Sequence, residues 1–225
     1  MSGRAVVVVG GGLAGLTAAL GLADAGADVT LLEARPRLGG AATSFRRAGM
    51  TIDNGQHVFL RCCTSYQQLL ARLGVSGQVS LQDRFDVTVL SPRGQARLRR
   101  SGLPGPLHLS RALLGYRLLP LADRLMVGRA ALAMRGIDPA DPATDAQALG
   151  DWLAARGQRE RARRLLWDLF TVSALNIAGD DASLALAATV IKTGLLGAAD
   201  AADIGIAAVP LGDLHDEAAG AALRA

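Results

Sequence analysis

The chain has 225 residues, half of them apolar and a fifth charged, with a formal charge of +4 at neutral pH. That composition builds one sizeable core or two small ones and excludes a disordered chain. The basic residues gather in two runs, Arg93 to Arg100 and Arg156 to Arg164, without interleaved aromatics; this argues against nucleic acid as a partner and leaves a solvated face or a contact with anionic lipid headgroups.

In chain order the first stretch is "RAVVVVGGGLAGLTAALGLADAGADVTLLEARPRLGG", Arg4 to Gly40. Its charge-free opening reads on hydropathy as a membrane span, yet only Arg4 and the small residues suit a secretion signal. Divided at its glycines it reads differently. Ala5 to Val9 is a continuous β-branched run, the pattern of a strand buried on both faces. From Leu13 to Ala25 apolar residues return at helical spacing, Gly26 supplies a left-handed stop, and Asp28 to Glu33 forms a second strand. Gly10, Gly12 and Gly15 then occupy the G-x-G-x-x-G positions: one for the tight turn, one for close approach of a pyrophosphate, one for helix–strand packing. The helix N-terminus at Leu13 and Ala14 offers free N–H groups to the phosphates. Glu33 stands where a carboxylate accepts hydrogen bonds from an adenosine ribose, and its charge argues against a 2′-phosphate.

Beyond Gly40, Ala42 to Asp53 predicts a hairpin about Ala48 and Gly49, and Thr64 to Gly74 a helix capped by Thr64 or Ser65. Phe85 to Leu98 predicts two strands about a Pro-Arg-Gly turn. The pattern becomes helical from His108 to Arg135 and from Thr144 to Leu196, with "DPADPATD" between. Trp152 and Trp167 fall in that region, where core packing is favoured over the lining of a substrate channel. Adjacent Cys62 and Cys63 and the scattered His57, His108 and His215 give no metal-site spacing, so no metal is expected; reduced thiols point to a cytoplasmic chain.

The arrangement E-x-x-x-R-x-G-G, formed by Glu33, Arg37, Gly39 and Gly40, resembles the FAD-binding signature of the flavin amine oxidase and phytoene desaturase superfamily. Asp53, Asn54, Gly55, Gln56 and His57 are similar to the D-N-G-Q-H pattern of the squalene-associated FAD-dependent enzymes, the hydroxysqualene dehydroxylases of hopanoid biosynthesis. "LWDLFTVSALN", "ASLALAATVIKTGLL" and "PLGDLHD" resemble the same group.

The resemblance implies an α/β fold: a Rossmann-like FAD-binding domain, incomplete, over residues 1–100, with a mostly helical substrate domain over 101–225 and no C-terminal return to the first domain. It implies FAD as cofactor, touched by Gly10, Gly12, Leu13, Ala14, Gly15, Glu33, Ala34, Arg37, Gly39, Gly40, Gly55, Gln56 and His57. The implied reaction is reductive dehydroxylation of hydroxysqualene, an isoprenoid. A carotenoid-type desaturase, an amine oxidase, or an inactive fragment or subunit completed by a second chain are the alternatives. A general acid is wanted for the leaving oxygen, and His57 is the candidate; a histidine satisfied by backbone groups in a tight loop is the competing reading. Asp53 is expected to fix that loop by accepting backbone N–H bonds, and His108 and His215 to be structural. Pro106 to Gly136 mixes apolar groups with arginines, which suits a helix lying peripherally at the inner face of a membrane and equally an amphipathic core helix.

Overall fold

The computed structural model describes residues 4–55 and 57–224. It divides into two compact units, one formed by the described residues of 1–59, 63–81 and 205–225, the other by residues 60–62 and 82–204.

The first unit begins with β1 (Ala5–Val9), α1 (Leu13–Asp24) and β2 (Asp28–Leu32). The strands pair in parallel, Ala5 opposite Asp28 through Val9 opposite Leu32, so the intervening helix is a crossover on one face. Leu16, Ala19 and Leu20 of α1 are buried. The helix stops as expected: Gly26 has φ +83°, its N–H donates to Ala23 O at 2.9 Å, and Ala27 N–H donates to Leu22 O at 3.0 Å, the paired bonds of a Schellman turn. The expectation that β1 is buried on both faces is corrected. Val7, Val9 and Leu32 are 61%, 81% and 51% exposed and share one face, because α1 covers only the other.

A hairpin follows, β3 (Ser44–Arg47) with β4 (Met50–Asp53), turning through Ala48 at φ +51° and Gly49 at φ +80°. Two successive positive φ values match the right-handed twist of the strands. After β5 (Val58–Leu60), α2 spans Thr64–Arg72. Its N-cap is Cys63 without a side-chain bond; Thr64 and Ser65 lie inside the first turn and cap nothing. A return strand, Ile204–Ala207, lies between β5 and β6 (Val79–Leu81), antiparallel to β6. Leu70 and Val75 pack with Leu211 and Leu214 from the segment that follows it.

The second unit is mostly helical. Its hairpin, β7 (Asp86–Ser91) and β8 (Gly94–Arg99), turns through Pro92 and Arg93 and sends Val89, Ala96 and Leu98 into a core shared with α3 (Ser110–Leu114), α4 (Leu121–Met134), α5 (Leu149–Ala155) and α6 (Leu184–Ile191). Trp152 and Trp167 are buried in this core. Asp203 is fully buried, accepting from Phe85 N–H at 2.6 Å, Arg100 Nε at 2.7 Å and Arg61 Nε at 3.4 Å. Burial alone would raise its pKa, but the Arg100 hydrogen bond, the Phe85 N–H and the arginine charges outweigh it and hold the carboxyl below its ordinary value.

Two expectations about domains change. A division at residue 100 would separate β7 and β8 from the core that buries their inner face; they belong to the second unit. Residues 205–225, expected in the helical substrate domain, belong to the first unit.

Candidate functional site

The glycine positions converge in the first unit. Gly10 has φ +100°, and its N–H donates to Leu32 O at 2.7 Å, tying the turn to the end of β2. A Cβ on Gly15 would overlap the Gly10 carbonyl oxygen, so α1 can enter this close to the turn only with glycine there. Gly39 N–H donates to Gly11 O at 2.8 Å, and Gly12 pairs with Gly39 as an isolated parallel bridge. A Cβ on Gly40 would stand 3.0 Å from Gly12 Cα. The turn at Gly10–Gly12 and the pair Gly39–Gly40 thus lie side by side as bare backbone. No side chain caps α1 at Gly12 and no acid occupies the first turn, which leaves the N–H groups of Leu13, Ala14 and Gly15 without a capping anion from the helix itself.

Glu33 is tied into the same turn. Its Oε1 accepts from Arg35 N–H at 2.9 Å and its Oε2 from Gly11 N–H at 2.7 Å. Those two donors hold the carboxyl below the usual carboxylate range, and each oxygen keeps a lone pair for a hydroxyl. Ala34 beside it is exposed. Arg37 is half-buried, and its Nε is a buried donor with no acceptor among the described residues. Bare glycine backbone at an uncapped helix N-terminus, with an orphaned guanidinium N–H two residues before Gly39 in the chain, fits a diphosphate.

The D-N-G-Q-H stretch leaves β4 toward this loop. Asn54 N–H donates to Thr43 O at 2.8 Å and Asn54 Nδ2 to Ala41 O at 3.0 Å, stitching residues 53–55 against 41–43. Gly55 is exposed with φ +84°. Gln56 lies outside the described residues. His57 is exposed, its Nε2 donating to Asn54 O at 2.9 Å; the ring has the backbone partner that the competing reading requires, while Nδ1 is left for another group. Asp53 does accept a backbone N–H, but from Leu211 at 3.0 Å, and a second bond from Ser44 Oγ at 2.7 Å. The carboxylate therefore secures the returning segment.

His57 does not stand alone. It lines a pocket of about 140 Å³ with Leu13, Ala42, Val58, Phe59, Tyr66 and His215. Tyr66 packs edge-on to Phe59 at 5.1 Å and its hydroxyl meets His215 Nε2 at 2.9 Å. Burial pushes the Tyr66 phenol up and the His215 imidazole down. Sequence reasoning passed over Tyr66 and left His215 as structural; the likeness of "PLGDLHD" was a signal without a role.

A second cavity, about 190 Å³, lies within the helical unit, lined by Leu98, Leu107, Leu113, Leu132, Trp167 and Phe170 among others. Its polar side chains are Ser110, whose hydroxyl donates to Leu107 O at 2.7 Å, and Trp167, whose indole donates to Gln158 Oε1 at 3.1 Å. Neither has a donor to spare. Trp167 is therefore both core and lining. His108 is buried nearby in sequence, its pKa lowered by burial and then by the Arg100 charge. Among the described residues no His, Cys, Asp or Glu cluster suits a metal ion, and no helix is long and apolar enough to cross a membrane.

The sequence pattern of the family described as flavin containing amine oxidoreductase matches residues 13–199. Among curated proteins, the chain is 29% identical to a zeta-carotene desaturase of Zea mays over 72% of this chain and 30% of that one. It is 30% identical to a hydroxysqualene dehydroxylase of Zymomonas mobilis over 84% of this chain and 44% of that one. Among solved structures, cyclohexylamine oxidase from Brevibacterium oxydans superposes with a TM-score of 0.67 at 21% identity, over 99% of this chain and 49% of that one, a likeness of fold. The chain spans less than half the length of each of these relatives.

Proposed function

From its membership of the flavin-containing amine oxidoreductase family, whose cofactor is FAD, we propose that this chain is the cofactor-bearing part of an oxidoreductase that removes the hydroxyl of hydroxysqualene reductively to give squalene. We assign the diphosphate to Gly10, Gly12, Leu13, Ala14, Gly15 and Arg37, the adenosine ribose to Glu33 and Ala34, and the ribityl side to Gly39 and Gly40. Gly55, Gln56 and His57 are assigned to the isoalloxazine ring. Bound FAD, once reduced, supplies the hydride. His57, in its protonated form, keeps Nε2–H on the Asn54 carbonyl and carries a second proton on Nδ1, which passes to the departing oxygen so that the hydroxyl leaves as water.

The observation that carries the reading is the cavity of the second unit, whose two polar side chains are already committed. Such a lining suits a hydrocarbon and offers an amine no counter-charge and, as acceptor, only the Ser110 hydroxyl oxygen. The same lining suits a carotenoid, and the likeness to the maize desaturase favours that second reading. Exposed Leu107, Leu114, Leu121, Leu125 and Leu132, with arginines between them, support a peripheral membrane face. The bare face of Val7, Val9 and Leu32 supports a further polypeptide segment or chain covering β1 and β2.

The test is to supply FAD, dithionite and hydroxysqualene in detergent and to follow squalene by gas chromatography, with zeta-carotene under oxidising conditions in parallel. Squalene formation supports the first reading and carotene desaturation the second. FAD binding without either product would leave a cofactor-binding subunit.

A further inference from the structure

The segment after the return strand contains a π-helical turn, Asp213–Glu217, a five-residue repeat that sets side chains out of α-helical phase. Two consecutive residues of that turn reach the loop that carries the Gly39–Gly40 pair. Asp216 Oδ1 accepts from Leu38 N–H at 2.8 Å, and His215 Nδ1 meets Ala42 O at 2.9 Å. They bracket the pair from either side. A carbonyl oxygen only accepts, so the His215 proton is on Nδ1; Nε2 is then bare and accepts the Tyr66 O–H at 2.9 Å. Tyr66 thereby fixes the tautomer that Ala42 needs. The contact is close: a Cβ on Gly39 would stand 3.0 Å from His215 Cβ. Just upstream, Leu211 N–H and Gly212 N–H bond to Asp53 Oδ1 at 3.0 Å and Ser44 Oγ at 2.8 Å, fastening the other end of the segment.

The bonds run onward. Gly39 donates to Gly11 O, so the shape of the Gly10–Gly12 turn hangs on a loop that is itself held from residues 215 and 216. We propose that His215 and Asp216 are positioning residues for FAD: the π turn latches Leu38–Ala42 in the conformation that receives the cofactor, and Tyr66 keys the latch through the His215 tautomer. The proposal concerns cofactor affinity and stands apart from the identity of the substrate.

The test uses the 225-residue chain with FAD as the probe. Asp216 is half-buried, so Asp216→Ala leaves the packing of Leu214 in place, and Asp216→Asn keeps an oxygen to accept the Leu38 N–H. Asp216→Ala weakens FAD binding about tenfold or more by fluorescence titration, with the urea midpoint of the cofactor-free chain unchanged; Asp216→Asn stays within about threefold of the parent. His215→Ala weakens FAD binding as well and, because the ring is buried, also lowers the urea midpoint, so the discrimination rests on the Asp216 pair. Amide exchange gives a readout that needs no bound cofactor: the Leu38 and Gly39 amides of the cofactor-free chain exchange at least about tenfold faster in Asp216→Ala than in Asp216→Asn. Unchanged affinity and exchange in Asp216→Ala would overturn the proposal. So would an affinity loss that tracks a lowered urea midpoint and is not restored by Asn, since that is the pattern of a merely structural role.

Discussion

Two glycines of α1 allow one chemical change to be made twice with opposite consequences. A methyl group on Gly15 overlaps the Gly10 carbonyl oxygen and comes to 3.0 Å from its carbon, both of them backbone atoms that cannot swing aside. Relief requires α1 to retreat from the turn, which loosens Leu16, Ala19 and Leu20 from the sheet they cover. Overpacking of that kind costs about 1–3 kcal/mol, and a backbone neighbour places Gly15→Ala at the upper end. A methyl on Gly21, six residues further along the same helix, meets nothing within 4 Å and removes glycine's unfolded-state freedom, a gain of about 0.5–1 kcal/mol. For a chain of this size each kcal/mol moves the melting temperature by about 2–4 °C. Gly15→Ala therefore melts several degrees lower and takes up FAD poorly, while Gly21→Ala melts a degree or more higher with unchanged FAD uptake. Calorimetry and absorbance titration on both variants decide the matter. Shifts of the same sign, or full FAD affinity in Gly15→Ala, would refute the close-packed turn.

Other outcomes follow from the same structure. Asp203→Asn leaves Arg100 facing an uncharged partner in a buried site and costs about 3–5 kcal/mol in urea unfolding. The pKa values of His108 and His215 are both depressed by burial, so the folded state disfavours their protons; the stability this confers is present above the unfolded value of about 6.5 and is lost as pH falls below it, with a slope of up to about 1.4 kcal/mol per pH unit for each histidine, measurable by urea unfolding at pH 7.5 and 5.5. Glu33 acts in the same sense over a lower range: its depressed carboxyl supports the folded turn above about pH 4.3 and loses that support as pH falls further, so Glu33→Gln flattens acid unfolding in that range. Leu113→Trp fills much of the apolar cavity; it lowers turnover of a C30 or larger hydrocarbon while FAD binding stays at the parental level, read by product analysis beside flavin absorbance.

The glycine turn was legible because its signal is local. Gly10, Gly12 and Gly15 lie within six positions, and the φ of Gly10 together with the forbidden Cβ on Gly15 are consequences of that short spacing. The β3–β4 turn was legible for the same reason, through two residues that accept positive φ. The partners of Leu38 and Tyr66 lie 178 and 149 positions away, and no periodicity or spacing reports a contact at that range. The same limit hid the true boundary of the units, since β7 and β8 follow the first unit in sequence yet bury Val89 and Leu98 among residues beyond 109. The apolar run at Ala5–Val9 misled in a different way: β-branched continuity reports what a strand prefers on its faces, whereas the exposure of Val7 and Val9 reports what the described residues supply.

The interleaving of the two units also sets an order of events during synthesis. Residues 82–204 form a continuous stretch that can close its core as it leaves the ribosome, whereas the first unit needs residues on both sides of that stretch. At about 5–20 residues per second, the glycine turn waits roughly 10–40 s between its own emergence and the arrival of the residues that hold Leu38 and Ala42. Throughout that interval the nascent chain carries an unlatched cradle, so on the proposed latch cofactor capture waits for residues 215 and 216, and a ribosome stalled before residue 205 would display a folded helical unit that takes up no flavin.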